Sequence, residues 1–188
     1  LQPVGTDLSG DGTVTGNLIG STASTGAIYY KATANTGGVI GIRAGGGNII
    51  NVANNVISGI DLDASLATVT PVFNGINAGG ATTVNITNNT IGSASMANSI
   101  NALSASTSAT AQTIRGIIVN GGTTSTVTGN LIANMNSNIA YSGTVAHTMV
   151  GIAITIGTST VADNTIRNLT SSSQSTSGGS TPSVIGIS

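Results

Sequence analysis

The chain has 188 residues and a formal net charge of −1, and only 5% of its residues are charged. Thr, Gly, Ser and Asn supply more than half of the sequence, whereas Cys and Trp are absent. This composition lacks the basic surface that nucleic-acid binding requires, the roughly 18 consecutive apolar residues of a membrane span and the strong helix formers of an all-α protein. Because 39% of the residues are hydrophobic, the chain can bury a core.

The first element in chain order is the hexapeptide Val14-Thr-Gly-Asn-Leu-Ile19, and its pattern recurs at 52–57, 86–91, 127–132 and 161–166. Its central asparagines are 38, 34, 41 and 34 residues apart; they are Asn17, Asn55, Asn89, Asn130 and Asn164. The residue before each Asn is of a type that tolerates the left-handed backbone conformation; these residues are Gly16, Asn54, Asn88, Gly129 and Asp163. The hexapeptide therefore predicts two short strands that meet at a bend.

A Gly-Ile pair starts each full repeat, at 41–42, 75–76, 116–117 and 151–152, and another pair stands at 186–187. The central Asn follows this Gly after 14 residues in three repeats and after 13 in the fourth, with a Gly- or Thr-rich turn between them. Alternating apolar residues predict a strand that buries its Ile. The Ser/Thr/Ala-rich segment after each hexapeptide varies in length and is predicted to form a loop.

Together these patterns predict an all-β fold, a single parallel β-solenoid domain over residues 1–188 with about five repeats of 34–41 residues. Stacked asparagines would form an Asn ladder at one corner, with a spacing of about 4.8 Å. The predicted inward files are Ile19, Ile57, Ile91, Ile132 and Ile166; Val14, Val52, Ile86, Val127 and Val161; and Ile42, Ile76, Ile117, Ile152 and Ile187. A repeat could hold one coil or two, and the unequal loops favour one.

The pattern Gly-Ile followed by Val-x-x-Asn-Asn-Thr-Ile resembles the right-handed parallel β-helix repeat. More narrowly, 88–93 together with 97–102 and 106–112 resembles the repeat arrays of very large secreted surface proteins of Bacteroidetes-type bacteria. The resemblance implies a right-handed coil and an extracellular or cell-surface location, and it specifies architecture rather than activity. The chain begins and ends inside a repeat and starts without a signal peptide, so we expect a mature form, an excerpt of a longer array or a polymerising subunit.

Acidic residues are few, and none of them defines a site. Asp7 and Asp11 match the first half of a calcium-binding loop. Leu18, however, stands where such a loop has a Glu that binds calcium through both carboxylate oxygens. A polar turn is therefore favoured over a weak or shared calcium site. Asp61 and Asp63 would share one face of a strand. The β-helix pectin lyases and hydrolases use larger carboxylate clusters, so a solvated loop is the favoured interpretation.

The remaining chemistry-bearing side chains are isolated in the sequence. The sole histidine, His147, lacks metal-ligand companions and is predicted at the surface or in a loop. Tyr29, Tyr30 and Tyr141 fall in variable segments, where packing against the solenoid flank is favoured over a sugar-stacking platform. The arginines occupy different phases of the repeat and are interpreted as solvated charges; they are Arg43, Arg115 and Arg167.

We therefore expect a non-enzymatic structural component of an extracellular fibre or adhesin, without catalytic residues and without a cofactor unless calcium binds. Its expected partners are neighbouring repeats of a longer chain or further copies stacked end to end, and surface glycans are an alternative partner. We expect no binding to nucleic acid and no membrane span. The alternatives are a carbohydrate- or calcium-dependent binding module and, less favoured, a polysaccharide lyase or hydrolase. Ice binding is disfavoured because Ala53 and Ala162 interrupt the file of Thr residues two positions before each Asn.

Overall fold

A computed structural model describes residues 6–33, 37–64, 70–105, 111–139, 147–172 and 184–188. These residues form β-strands without any helix, and every strand pairing among them is parallel. The strands stack into a β-solenoid of about four turns whose wall consists of three sheets, A, B and C. The described residues contain no helix long and apolar enough to cross a membrane.

Each turn contributes one strand to sheet A and one to sheet B. Sheet A consists of β1 (Thr6–Ser9), β5 (Gly38–Gly45), β9 (Val72–Gly79), β13 (Thr113–Val119), β16 (Thr148–Ile154) and β19 (Val184–Ile187). Sheet B consists of β2 (Gly12–Thr15), β6 (Ile49–Ala53), β10 (Thr83–Thr87), β14 (Thr124–Thr128) and β17 (Thr158–Ala162).

Sheet C has two halves. The first half contains β3 (Leu18–Gly20), β7 (Val56–Ser58) and β11 (Thr90–Gly92), and the second contains β4 (Ile28–Ala32), β8 (Ile60–Ala64) and β12 (Ile100–Ser104). Two longer strands, β15 (Leu131–Ile139) and β18 (Thr165–Ser171), run through both halves.

Each sequence repeat forms one turn, as predicted. The strand register places equivalent residues of successive repeats side by side, for example Val52 against Ile86 and Ile57 against Ile91. All three predicted files are confirmed in this way, and their members in the interior turns are fully buried. The predicted left-handed bends are confirmed too, with φ between 55° and 69° at Gly16, Asn54, Asn88, Gly129 and Asp163.

The glycines of the Gly-Ile pairs are required because a side chain would not fit at these positions, and not because the backbone has a positive φ there. Gly41, Gly75, Gly116 and Gly151 have no positive φ, yet each faces the core Ile file of sheet C. A Cβ on Gly75 would lie 2.7 Å from Cγ2 of Ile91 and 2.5 Å from the carbonyl oxygen of Gly116. Because real Cβ atoms do not approach that closely, this file of glycines lets sheets A and C pack in contact.

The turns differ at the midpoint of sheet C. In three turns a single residue with positive φ joins the two halves; these residues are Gly59, Asn134 and Asn168. In the other two turns this residue is replaced by the segments 21–27 and 93–99. Each segment starts with a serine, Ser21 or Ser93, whose Oγ accepts N–H hydrogen bonds from the residues two and three positions further on. The extra length therefore lies after the hexapeptide, as predicted.

The structure places several residues differently from their sequence-based interpretations. Tyr29 and Tyr30 lie on β4, and Asp61 and Asp63 lie on β8, so these pairs belong to sheet C and not to loops. His147 is 1% exposed rather than at the surface, because the chain enters sheet A there with its side chain among core residues. Tyr141 lies outside the described residues.

Candidate functional site

The predicted Asn ladder is present at the corner between sheets B and C. In the central turn, Oδ1 of Asn89 accepts hydrogen bonds from the backbone N of Asn55 at 3.0 Å and from its Nδ2 at 2.9 Å. Nδ2 of Asn89 donates to Oδ1 of Asn130 at 3.0 Å and to the carbonyl oxygens of Val52 and Thr87. The same pattern joins Asn17 to Asn55 and Asn130 to Asn164. The ladder satisfies backbone groups that the bend leaves without sheet partners, so its role is structural.

Chemistry-bearing side chains gather on the outer surface of the second half of sheet C, which we call the polar face. Strand alternation buries one set of residues and turns the other set outward, as on β8, where Ile60, Leu62 and Ala64 are buried. The register aligns the outward residues in two rows. One row contains Tyr29, Asp61, Asn101 and Asn136, and the other contains Lys31, Asp63, Leu103 and Asn138.

Hydrogen bonds connect neighbouring turns on the polar face. The hydroxyl of Tyr29 donates to Oδ2 of Asp63 at 2.8 Å, and Nδ2 of Asn136 donates to Oδ1 of Asn101 at 2.9 Å. The bond to the Asp63 carboxylate holds the proton on the phenol, so it raises the pKa of Tyr29 above its ordinary value. The aromatic ring is thereby fixed while it remains largely exposed.

Asp61 is the most enclosed acid of this surface. Gly26 of the 21–27 segment covers it so closely that a Cβ on this glycine would lie 2.8 Å from Oδ2 of Asp61. Its other oxygen, Oδ1, is buried without a hydrogen-bond partner in the described part of the chain. Burial raises the pKa of Asp61, and a side-chain hydrogen bond with Asn101 opposes that rise.

A shallow, open depression of about 340 Å³ lies beside these rows. Asp63, Leu103 and Asn138 contribute their side chains to it, and Ser104 and Ala105 complete its lining. The surface thus combines one fixed aromatic ring, two carboxylates, one lysine and a row of amides. Such groups can hydrogen-bond to a neutral or polyhydroxylated ligand.

The calcium candidates lie at the first turn, away from the polar face. Oδ1 of Asp11 accepts hydrogen bonds from the backbone N of Ile49 at 2.9 Å and from that of Asn48, so the carboxylate anchors the next turn. These bonds lower the pKa of Asp11. Asp7 lies on β1, beside Arg43 in the strand register. Within the described ranges, no three His, Cys, Asp or Glu residues are grouped as metal ligands, and calcium binding stays a prediction.

The arginines differ in their surroundings. Arg43 is exposed on sheet A. Arg115 is half-buried beside Oδ1 of Asn74, and burial lowers its pKa. The guanidinium of Arg167 donates to the carbonyl oxygen of Ala94 at 2.8 Å and so holds the 93–99 segment against the wall. The interpretation as an isolated solvated charge is therefore wrong for the half-buried Arg115. Arg167 is exposed, as predicted, but it is bonded to another turn.

Sequence reasoning singled out Tyr29, Asp61 and Asp63 but did not place them together. It missed the residues that complete the polar face, which are Lys31, Asn101, Leu103, Asn136 and Asn138. The rows could have been found from the number of residues that separate each side chain from its hexapeptide. The segments 21–27 and 93–99 change that number in two of the turns. Two turns must therefore be aligned after those insertions before the rows become visible.

Searches of protein-family models, of curated proteins and of solved structures found no match to this chain. The fold and its hydrogen-bonded Asn stack define the class of protein, a parallel β-solenoid.

Proposed function

We propose that this chain is a non-enzymatic structural segment of an extracellular fibre or cell-surface adhesin. On this proposal it belongs with the right-handed repeat arrays of large secreted Bacteroidetes-type proteins that its motifs resemble. The main support is one observation: the buried files and the Asn ladder run through every turn in the same register. Such a stack gains stability turn by turn and can be extended without a change of design.

Ile187 belongs to the file of Ile residues in sheet A and lies on the strand at the end of that sheet. Its equivalents in the preceding turns, Ile42, Ile76, Ile117 and Ile152, are 0% exposed, whereas Ile187 is 55% exposed. A further turn placed on β19 would bury this side chain and pair the free strand edge. In the self-associating form of the proposal, that turn belongs to a second copy in a head-to-tail contact.

Electron microscopy across a concentration series tests the self-associating form. We expect filaments with an axial repeat that is a multiple of about 4.8 Å. A charge in Ile187→Lys should abolish them, whereas Ile49→Lys, at a 50% exposed position on the side wall, should not. Discrete particles at every concentration, or equal loss in both variants, would refute end-to-end stacking. Turnover on a polysaccharide panel that Asp61→Asn abolishes would refute the non-enzymatic role.

A second candidate function, binding of surface polysaccharides, is favoured by the composition of the polar face. The fixed Tyr29 ring offers a stacking surface, and the amides of Asn101 and Asn136 offer hydrogen bonds at the spacing of the turns. A glycan array tests this idea, with and without a calcium chelator. Tyr29→Ala should lose the signal and Ile49→Ala should keep it, whereas a blank array for the unaltered protein would contradict polysaccharide binding.

A further inference from the structure

Two Asn-Gly pairs occur in the sequence, Asn74-Gly75 and Asn120-Gly121, and the structure places them in opposite environments. Asn74 lies inside β9 and is 8% exposed. Asn120 is exposed and follows the last residue of β13. The difference matters because the backbone nitrogen of the residue after an Asn can attack the side-chain carboxamide, and glycine presents this nitrogen without a side chain in the way.

Sheet A protects the first pair. β9 pairs with β5 on one side and with β13 on the other, so Asn74 lies between Ile40 and Arg115. A parallel strand holds ψ at about +115°, so the nitrogen of Gly75 cannot turn toward the carboxamide unless the sheet opens. Oδ1 of Asn74 is also held, since it accepts a hydrogen bond from Nη1 of Arg115 at 3.4 Å.

The second pair lies at the corner between sheets A and B. The backbone N–H of Asn120 donates to the carbonyl oxygen of Ala78 at 2.9 Å, and the peptide bond that follows belongs to the turn. The position that a Cβ on Gly79 would take is 3.0 Å from the nitrogen of Gly121 and still closer to Oδ1 of Asn120. The carboxamide and the nitrogen that would attack it therefore lie against the same point of the preceding turn, and this proximity favours their reaction.

We propose that Asn120 is a site of spontaneous deamidation in the folded chain. The nitrogen of Gly121 attacks Cγ of Asn120 and forms a new C–N bond. The C–N bond of the carboxamide breaks, the proton of the attacking nitrogen leaves with the amide as ammonia, and a cyclic succinimide remains. Water then opens one of the two C–N bonds of the ring and leaves aspartate or isoaspartate at position 120.

Both products change a corner at which neighbouring turns touch. A Cβ on Gly121 would collide with the backbone nitrogen of Gly80, so the two backbones are in close contact there. Isoaspartate adds a carbon to the main chain directly before this contact and before β14. Aspartate keeps the length of the main chain but adds a negative charge to an exposed position.

Peptide mapping by mass spectrometry of the whole chain tests this site, with fragmentation that distinguishes isoaspartate from aspartate. In the folded chain, Asn120 should lose its amide at least about tenfold faster than Asn74, a difference of about 1.4 kcal/mol in activation free energy. The rate at Asn120 should increase with pH, because the attacking nitrogen must lose its proton. In guanidinium, where the sheet no longer protects Asn74, the two pairs should react at similar rates.

Asn120→Gln is the matched variant, because its longer side chain keeps the amide but must close a larger and less favourable ring. Release of ammonia from position 120 should stop in this variant, while Asn74 stays intact. An intact Asn120 in the folded chain, over a period in which both pairs react in the unfolded chain, would overturn the proposal. Equal rates at Asn74 and Asn120 in the folded chain would overturn it too, and this comparison needs no variant.

Discussion

Truncation of Asn89 to alanine removes the centre of the Asn ladder. This side chain is 1% exposed and makes five hydrogen bonds, to two neighbouring asparagines and to two backbone carbonyls. Asn89→Ala keeps the backbone but leaves the N–H of Asn55 buried without an acceptor. The side-chain ladder is then interrupted at this turn, and only the backbone N–H of Asn89 keeps its hydrogen bond to Oδ1 of Asn130.

The expected loss is large for a single polar side chain. A net contribution of about 1 kcal/mol for each of the five hydrogen bonds gives about 5 kcal/mol. For a domain of this size each kcal/mol changes the melting temperature by about 2–4 °C, so we expect a decrease of about 10–20 °C.

Thermal and guanidinium unfolding followed by circular dichroism measure this loss. Asn85→Ala is the matched control, since Asn85 lies in the same turn, is half-buried and makes a single side-chain bond, from its Nδ2 to Oδ1 of Asn51 at 2.9 Å. The control should lose at most about 1 kcal/mol. If Asn89→Ala and Asn85→Ala were equally stable, the ladder would not be a main source of cohesion between turns.

Three further predictions concern other parts of the wall. Gly59→Ala should lower the free energy of unfolding by about 1–3 kcal/mol, because its Cβ would lie 2.5 Å from the carbonyl oxygen of Ser24. Gly16 has the same φ of 69° but lies in open space, so Gly16→Ala should lower it less. Urea unfolding of the two variants measures the difference. The pKa of Asp11 is lowered in the folded chain, so its carboxylate stabilises the fold above pH 3.8 and this contribution is lost as the pH falls further. Asp11→Asn should therefore be less sensitive to acid over this range than the unaltered chain. Acid titration followed by circular dichroism measures the difference. Asp63→Asn should lower the pKa of Tyr29 toward 10.0, and an unchanged ultraviolet titration of the phenol would refute the hydrogen bond.

The turn-to-turn architecture could be predicted from the sequence because it depends on local rules that repeat. A β-branched residue, a left-handed bend residue, Asn and Ile each perform one task per turn, and the task is the same in every turn. The bend at Asn88 and the stacking of Asn89 illustrate this, since both follow from residue type and spacing alone. The predicted files were correct for the same reason.

The candidate site was less predictable because it depends on residues of unequal sequence spacing. Tyr29 and Asp61 are 32 residues apart, and Asp61 and Asn101 are 40 apart, although both pairs are direct neighbours in sheet C. The 21–27 and 93–99 segments cause this difference. Their Ser/Thr/Ala-rich composition predicts a loop, but it does not indicate that the chain then returns to the same sheet. The polar face is therefore a property of the register and not of a motif.

The repeat pattern alone was enough to predict the fold class and the identity of the buried files, because it places apolar, bend and ladder residues at equivalent positions in every repeat. It left open whether a repeat forms one turn or two, and the strand register shows one turn. The burial of His147 and the reason for the Gly file depend on contacts that form only in the folded chain. Gly75 must be glycine because Ile91 of the opposite sheet occupies the space of its side chain. His147 is buried because its turn enters sheet A with that side chain pointing inward. Contacts across the solenoid depend on which sheets face each other, and a one-dimensional period does not contain that information.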